Sequence, residues 1–463
     1  MGQRRVKMKK KFISAILCAA MTMSLLAGCG SSAGDSSSAS TDSTQAEETT
    51  EAADTSAAEE TAQVSSDEPC EIYMFISSPE YADAIGELID AYKEVAPNVT
   101  INYETTQNDY PTLLKAKLNS GEVPDIFSST SGKEIDVYKE YSYDLAGQPL
   151  TETMSDAVAA TMQSPADGSG CYGIMLKQGN YFGIVYNKAI FEECGITEFP
   201  STVSAMKDAC EKISAAGYKP FTTGFNEWWV YKHVAQHFFD AAAANAGISA
   251  AELVSGFENG TAKISDYPEL YNNFFDFIDL AVKYGDDKPL ETALDGEESA
   301  FGTGKAAMVL GQGAWIEADV LSIDPDIQIG FNGYPVTEDA SQCQVISGSD
   351  QSLHVNKDSA VLQQTLDFMN WWYTSDYGKA WFTDVAGVVP PIKSDVQSNF
   401  EIIKQGDELA ASAGAADLEI IYSTDSWHQT FGEIMQSYIA GDLDKDGACA
   451  QIEKQWQEID GAQ

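Results

Sequence analysis

The chain has 463 residues and carries 71 acidic against 27 basic side chains, so its formal net charge is −44 at pH 7. A surface this acidic repels the phosphates of nucleic acids and anionic lipid headgroups, which argues against both as direct partners. It suits a neutral or cationic small molecule, although solubility alone is a sufficient reason for such a charge.

The first 28 residues have the organisation of an export signal. A basic head that includes Arg4 and Arg5 precedes an apolar run from Phe12 to Gly28, which is short for a membrane span. The run ends in Leu-Ala-Gly-Cys, which resembles the bacterial lipobox, where the cysteine is lipidated after cleavage. We therefore expect a lipoprotein signal peptide over residues 1–28. Acyl chains such as palmitate on Cys29 would hold the mature protein on the outer face of the bacterial cell membrane.

Residues 29–69 are rich in Ser, Thr, Ala, Asp and Glu and contain almost no large apolar side chain. Such a composition does not bury enough apolar surface to offset the entropy of the chain, so we expect a disordered tether. A tether of this length would let a globular body move on the order of tens of ångströms from the membrane.

Short β-like runs then alternate with amphipathic helical patterns. The order is a strand at residues 71–76, a helix that stops at Pro97, a second strand, a helix closed by Gly121, and a third strand at residues 124–130. This β-α-β-α-β order predicts a mostly parallel sheet with helices on both faces. A body of about 390 residues is too long for one ordinary core, so two lobes are expected.

Residues 301–315, FGTGKAAMVLGQGAW, have nearly the composition of a phosphate-binding loop. A Walker loop requires GxxxxGK[ST], but Ala306 follows Lys305, and Ser299 stands where the first glycine belongs. The stretch contains no GxGxxG pattern either. We therefore reject a nucleotide site here.

Several pieces of the body occur in the order typical of one family. After the strand-helix start they are SGEVPDIFSS at 120–129, GIVYNKAIFEECGI at 183–196, FPSTVSAMKDACEKISAAGYKPF at 199–221, the glycine-rich stretch, SLHVNKDS at 352–359, AGVVPPIKSDV at 386–396 and QIEKQWQEI at 451–459. Behind a lipobox, this series resembles the extracellular solute-binding proteins of the maltose-binding type, which deliver sugars to ABC importers.

The resemblance implies a two-lobed, periplasmic-binding-protein-like α/β fold of type II. Each lobe would hold a mostly parallel sheet flanked by helices, and crossing strands would join the lobes. The first lobe would span residues 70–180 with a return segment at 346–386, and the second would span 181–345 and 387–463. The expected protein is a monomer that captures a carbohydrate, preferably an oligosaccharide, and delivers it to ABC permease subunits. No enzymatic activity, cofactor or metal is expected.

Candidate ligand contacts follow from family position and from residue chemistry. Aromatic rings suit the apolar C–H faces of a sugar, whereas sugar hydroxyls need hydrogen-bond partners. Trp371, Trp372 and Trp381 lie in a segment that the family uses for packing, so core or surface positions are expected for them and not ligand contacts. The candidates are Tyr181, Trp228, Trp229, Trp315 and Trp427 among the aromatic residues and Glu80, Asp109, Ser129, Glu227 and Asp350 among the polar ones.

Two features leave alternatives open. Residues 442–453, DLDKDGACAQIE, fit the calcium-loop pattern D-x-D-x-D-G-x5-E, but the family has a helix start here, with Asp444 as an ordinary N-cap residue.

The cysteines of the body allow many disulfide connectivities, so no pairing is predicted. They are Cys70, Cys171, Cys194, Cys210, Cys343 and Cys449.

Catalytic patterns are weak in the body, which contains neither HExxH nor GxSxG. His233 and His237 could share a helical face, but Val234 stands where a zinc protease needs glutamate, so surface or core positions are expected. No carboxylate pair is singled out for glycoside hydrolysis.

The main alternative to a sugar-binding protein is the same fold with another solute, namely a polyamine, a peptide or an iron complex. An anchored carbohydrate-active hydrolase is a more distant alternative.

Overall fold

A computed structural model describes residues 68–178, 181–394, 398–417 and 422–459. The predicted signal peptide, the lipidation site Cys29 and the predicted tether through residue 67 lie outside the described residues, so they stay predictions. Among the described residues, no helix combines the length and hydropathy that crossing a membrane requires.

The described chain alternates strands and helices from Cys70 to Glu458. The strands are β1 (Cys70–Ile76), β2 (Val99–Thr105), β3 (Ile126–Thr130), β4 (Ile174–Gln178), β5 (Gly183–Asn187), β6 (Lys219–Thr222), β7 (Ala306–Gln312), β8 (Ile329–Asn332), β9 (Val345–Ser347), β10 (Ser349–Val355) and β11 (Ala415–Asp417). The α-helices are α1 (Ala82–Val95), α2 (Tyr110–Ser120), α3 (Lys133–Tyr138), α4 (Pro149–Glu152), α5 (Asp156–Ala159), α6 (Lys188–Glu193), α7 (Val203–Ala215), α8 (Trp228–Ala246), α9 (Ala250–Glu258), α10 (Phe275–Tyr284), α11 (Leu294–Gly302), α12 (Glu317–Ile323), α13 (Leu362–Thr374), α14 (Asp376–Asp384), α15 (Glu401–Ala413), α16 (Asp425–Ala440) and α17 (Lys445–Glu458). A π-helical segment, Glu269–Phe274, leads into α10.

Two larger sheets organise the described elements, and β9 and β11 form a third sheet of two parallel strands. The first has the order β2-β1-β3-β10-β4, in which β1 is parallel to β2 and β3, and β10 is antiparallel to β3 and β4. The second has the order β6-β7-β5-β8, in which β6 and β7 are parallel and β5 is antiparallel to β7 and β8. β10 in the first of these sheets and β5 in the second are therefore antiparallel to the other strands of their sheets. The prediction of α/β sheets flanked by helices is confirmed.

Each of the two larger sheets has its own hydrophobic core, and these cores define the two lobes. The first core draws on β1 to β4 and then on β10, α13 and α14, where Trp372 and Trp381 pack edge to face at 5.0 Å. The second core runs from Ile184 to Val336 and is completed by α16 and α17. Val388 and Ile392 still pack in the first core, a few residues beyond the crossing that the sequence placed at 387. These two tryptophans, for which core or surface positions were expected, are core residues, and Trp371 packs against the same core while partly buried.

Candidate functional site

A cavity of about 190 Å³ lies between the two lobes. The first lobe lines it with Ser77, Pro79, Glu80, Gln107, Asn108, Thr130, Lys177, Asp350 and Gln351. The second lobe lines it with Phe182, Glu227, Trp229, Lys232, His233, Leu294, Trp315 and Asp425. Ser77 follows the last residue of β1 and Thr130 ends β3, so the cavity lies beyond the carboxyl ends of these strands, as parallel sheets favour.

Four rings form one side of the cavity, which we call the aromatic wall (Phe182, Trp229, His233 and Trp315). The ring of His233 lies 4.4 Å from that of Phe182, 5.3 Å from that of Trp229 and 5.8 Å from that of Trp315, measured between centroids. Trp229 and His233 are four residues apart on α8, so one helical face presents both. Such a wall offers apolar surface to the C–H face of a ring-shaped ligand.

The turn after β7 places Trp315 in this wall. Gly311 has a φ of +72°, and a Cβ there would lie 2.6 Å from a methyl group of Val230, so a larger residue does not fit. Trp315 then lies in a short 3-10 turn, and its indole Nε1 donates a hydrogen bond to Oε1 of Gln312 at 2.7 Å. The glycine-rich stretch therefore forms a strand and a turn that shape the wall of the cleft.

The protonation of His233 follows from its contacts. Its Nδ1 lies 2.8 Å from the carbonyl oxygen of Gly311, and because a carbonyl only accepts, Nδ1 carries the proton. Burial, together with the nearby charge of Lys232, lowers the pKa of His233 well below its ordinary value, so the ring is neutral. Its Nε2 is therefore a hydrogen-bond acceptor on a residue that lines the cavity.

An acid–lysine cluster (Glu80, Lys177 and Asp350) forms part of the opposite side. Lys177 Nζ lies 3.4 Å from Oε1 of Glu80 and 3.2 Å from Oδ2 of Asp350. Burial disfavours the charged ammonium, but Tyr81 and these two carboxyl groups outweigh it and raise the pKa of Lys177. Burial raises the pKa of Glu80, and Lys177 partly offsets that rise. The cluster therefore offers charged donors and acceptors that are already held in place.

Direct contacts link the lobes around the cavity. Asn108 Nδ2 donates to Oε2 of Glu227 at 2.8 Å, and Thr130 Oγ1 donates to Oδ1 of Asp425 at 2.7 Å. The carboxyl group of Glu134 accepts the backbone N–H of Thr130 at 2.7 Å and that of Asp425 at 2.8 Å. We call Thr130, Glu134 and Asp425 the inter-lobe bridge. It fixes one edge of the cavity through groups from both lobes.

Five of the ten predicted ligand contacts line the cavity: Glu80, Glu227, Trp229, Trp315 and Asp350. Three others do not line the cavity, but each is next in sequence to a residue that does. They are Asp109, Ser129 and Tyr181. Asp109 is exposed directly before α2, while its neighbour Asn108 faces the cavity. Ser129 Oγ lies 2.7 Å from Nε2 of buried His354 inside the first lobe, because successive strand residues face opposite sides of a sheet. The hydroxyl of Tyr181 donates to Asp407 at 2.6 Å.

The remaining two predicted contacts pack in the second core. Trp228 precedes Trp229 on α8, and adjacent helical residues face different directions, so only Trp229 reaches the cavity. Trp427 packs against Phe431 and Trp456, at ring-centroid distances of 5.3 Å and 4.0 Å. It lies near the start of α16, with its side chain in the second core.

Several residues that line the cavity were not among the predicted contacts. The structure adds Asn108, Lys177, Lys232, His233, Gln351 and Asp425, among others. The sequence already favoured Ser77 and Thr130, which lie at the carboxyl ends of predicted strands, and Phe182, which follows Tyr181. A signal was also available for His233, which lies one helical turn after Trp229. Lys177 interrupts the apolar run of β4, which is itself a hint that the lysine meets buried acids.

The calcium loop is not formed. Asp444 caps α17, with Oδ1 accepting the N–H of Gly447 at 2.8 Å, and Glu453 is used to accept the N–H of Ile264 at 2.7 Å. The helix starts at Lys445, so the chain does not wrap around a central point. No cluster with metal-binding composition occurs among the described residues.

Two further sequence features take ordinary structural roles. The six cysteines of the described body are all free thiols. Residues 168–173 read GxGxxG, but they precede β4 instead of linking a strand to a helix, which a dinucleotide site requires.

Comparison with known proteins agrees with this architecture. The family described as bacterial extracellular solute-binding protein matches residues 87–411. The melibiose/raffinose/stachyose-binding protein MelE of Bacillus subtilis (strain 168) is 21% identical over 309 residues, which cover 64% of this chain and 68% of that protein. At this identity the relationship is distant.

Solved structures share the fold. A chitin oligosaccharide binding protein superposes with a TM-score of 0.72 and 19% identity, over 85% of this chain and 99% of that one. A sugar transporter from Bacillus licheniformis, solved in complex with stachyose, superposes with a TM-score of 0.70 and 18% identity, over 84% of this chain and 100% of that one. The two-lobed fold is thus the one these type II binding proteins adopt. Because the family match covers more than half of the sequence, this chain belongs to the bacterial extracellular solute-binding proteins.

Proposed function

We propose that this protein is the carbohydrate-binding component of an ABC importer, and that it captures an oligosaccharide between its lobes. The observation that carries the proposal is the cavity itself, where the aromatic wall of one lobe lies across from the acid–lysine cluster of the other. Rings cover the apolar faces of a sugar, and fixed carboxylates and ammonium groups pair with its hydroxyls. The names of the distant relatives point to the same class of ligand.

Its place in the cell follows from the family and from the predicted signal. Membership of the extracellular solute-binding family implies a location outside the cytoplasm. We propose that Cys29 is lipidated, that the acidic segment up to residue 69 tethers the body, and that the closed form docks on permease subunits.

We also propose that the chain crosses between the lobes close to residues 180 and 346, and for a third time near residue 393. We propose no catalytic role, since the relatives are named as sugar-binding proteins.

A cationic solute such as a polyamine is the second candidate. Four carboxylates line the cavity against two lysines, and His233 is neutral, so the cavity is acidic. An amine next to aromatic rings and carboxylates is a stable arrangement. Binding measurements separate this candidate from the first.

The test is calorimetric and thermal-shift titration of residues 68–463 with stachyose, raffinose, chitooligosaccharides and spermidine. A ligand that binds only the folded state raises the melting temperature by mass action. Trp229→Ala and Trp315→Ala should each weaken glycan binding by about tenfold or more, whereas Trp427→Phe, in the second core, should leave it unchanged. Binding of spermidine alone would replace the sugar by an amine, and loss of binding in Trp427→Phe but not in Trp315→Ala would contradict the assigned cleft.

A further inference from the structure

Glu297 is a fully buried carboxyl group that lies behind the aromatic wall and outside the cavity lining. Its Oε2 accepts a hydrogen bond from Nε2 of Gln312 at 2.7 Å. Gln312 is also fully buried, and its Oε1 accepts the indole N–H of Trp315 at 2.7 Å. Three side chains thus form a hydrogen-bonded chain that ends on a ring in the cleft.

The direction of each hydrogen bond in this series follows from which atoms can donate and which can accept. The indole N–H of Trp315 only donates, so Gln312 must turn its amide oxygen toward the ring. The amide nitrogen of Gln312 then faces Glu297, and because an amide NH₂ only donates, Glu297 must offer an acceptor. A flip of the Gln312 amide would set donor against donor at the indole, because the indole N–H cannot accept a hydrogen bond.

The position of Glu297 is set by close packing. A Cβ at Gly224 would lie 2.7 Å from Oε2 of Glu297, and Gly224 has a φ of +55°, so this glycine leaves the room that the carboxyl group occupies. Burial raises the pKa of Glu297 well above its ordinary range, which favours the neutral form and limits the cost of a buried charge. A carboxylate and the carbonyl oxygen of a carboxylic acid both accept, so the hydrogen bond from Gln312 to Oε2 does not depend on the protonation state.

We propose that Glu297 is a positioning residue that fixes the Gln312 amide and thereby holds the Trp315 ring in its orientation in the cleft. The ring is half-buried and contacts Phe182 at 5.5 Å and Nζ of Lys177 at 5.5 Å, but these contacts with its face and edge do not fix the direction of the indole N–H, which the hydrogen bond to Gln312 does. The consequence for ligand affinity rests on the proposed function. The orientation of the ring is a property of the ligand-free protein and is measured without a ligand.

The direct measurement is the solvent-exchange rate of the Trp315 indole N–H in protein labelled with ¹⁵N-tryptophan, with the resonance assigned by Trp315→Phe. Glu297→Leu removes the acceptor and should accelerate this exchange by about tenfold or more. Glu297→Gln keeps an oxygen for Gln312 and should change the rate by less than about threefold. Glu298→Leu, one residue along α11 and without a contact to Gln312, is the matched control and should have no effect.

Unchanged exchange of the Trp315 indole in folded Glu297→Leu protein would overturn the proposal. Should that variant not fold, Gln312→Met breaks the same chain at its middle and should accelerate exchange equally. Where both fold, Glu297→Leu/Gln312→Met should exchange no faster than Gln312→Met alone, because both substitutions remove one pathway. Independent, additive effects of the two substitutions would also contradict a single chain.

Stachyose titration gives the functional arm. Glu297→Leu and Gln312→Met should weaken stachyose binding by about five- to tenfold, while Glu297→Gln and Glu298→Leu retain it. Faster indole exchange with unchanged stachyose affinity would show that the ring orientation does not matter for binding, which refutes the positioning role. If the unaltered protein binds no glycan, the proposed function fails, and the exchange rates alone still decide whether Glu297 holds the ring.

Discussion

The hydroxyl of Thr130 donates a hydrogen bond to Oδ1 of Asp425 at 2.7 Å, and this contact joins the end of a strand in the first lobe to the start of a helix in the second. Asp425 also lies 3.5 Å from Lys232 Nζ, so its charge is balanced within its own lobe. The contact therefore adds a specific link between the lobes without leaving an unpaired charge when it is broken.

Thr130→Val should loosen the two lobes. The substitution keeps the shape and removes a hydrogen bond to a charged group, which contributes about 1.5–3 kcal/mol. We expect a larger radius of gyration in small-angle X-ray scattering of the ligand-free protein and a lower melting temperature. Thr222→Val is the matched control, since Thr222 bonds Asp286 at 3.1 Å within the second lobe. It should lower the melting temperature but leave the radius unchanged, and equal radii for both variants would rule out the link.

Glu134 predicts an unusual pH dependence of stability. Burial and the charge of Asp425 raise the pKa of Glu134 to about 8, above an unfolded value of about 4.3. The folded protein therefore holds this proton more tightly, and the stability it contributes is lost as pH rises between those two values. Lys232 opposes the shift only in part.

The measurement compares unaltered protein with Glu134→Gln between about pH 6.5 and 8.5. The two proteins have the same histidines, so the protonation of these histidines in the unfolded state cancels in the comparison. The free energy of unfolding of the unaltered protein should fall by about 1–2 kcal/mol more than that of the variant. Asp425, whose pKa is lowered despite its burial because of Lys232 and His428, acts only at more acidic pH. Parallel pH curves for the two proteins would show that Glu134 does not titrate here.

Lys177→Met should be strongly destabilising. The substitution leaves Glu80 and Asp350 as buried carboxylates without their cation, which typically costs about 3–5 kcal/mol in the free energy of unfolding. Lys288→Met is the control, because its ion pair with Glu291 at 2.7 Å is exposed and should contribute less than about 1 kcal/mol. Chemical denaturation of both variants gives the comparison, and similar losses would indicate that the cluster is well solvated.

His233→Phe should weaken glycan binding by about tenfold, because the ring keeps its place in the wall but loses the Nε2 acceptor. His237→Phe is matched to it, since His237 lies one helical turn further along α8, packs on Tyr334 at 4.5 Å and does not line the cavity. Binding should not change with pH through His233 between about pH 6.5 and 8, because its pKa is lowered below its ordinary value of about 6.5. A loss of affinity on acidification that disappears in His233→Phe would contradict the assigned tautomer.

The sequence by itself determined the fold class and the general position of the site. Apolar periodicity and the glycine at the end of α2 predicted the first strands and helices, because both depend on contacts within a few residues. Strand ends and aromatic residues in family positions pointed to Glu80, Glu227, Trp229, Trp315 and Asp350, all of which reach the cavity.

Only the tertiary structure decided which side of each element faces the cleft. Trp228 and Trp229 are chemically identical neighbours that both pack in the second core, and the rotation of α8 lets only Trp229 line the cavity as well. Lys177, Thr130 and Asp425 became site residues through partners far away along the chain, as with Thr130 and Asp425, which are 295 positions apart. Side-chain direction and long-range pairing depend on how the lobes pack, and local sequence carries little information about either.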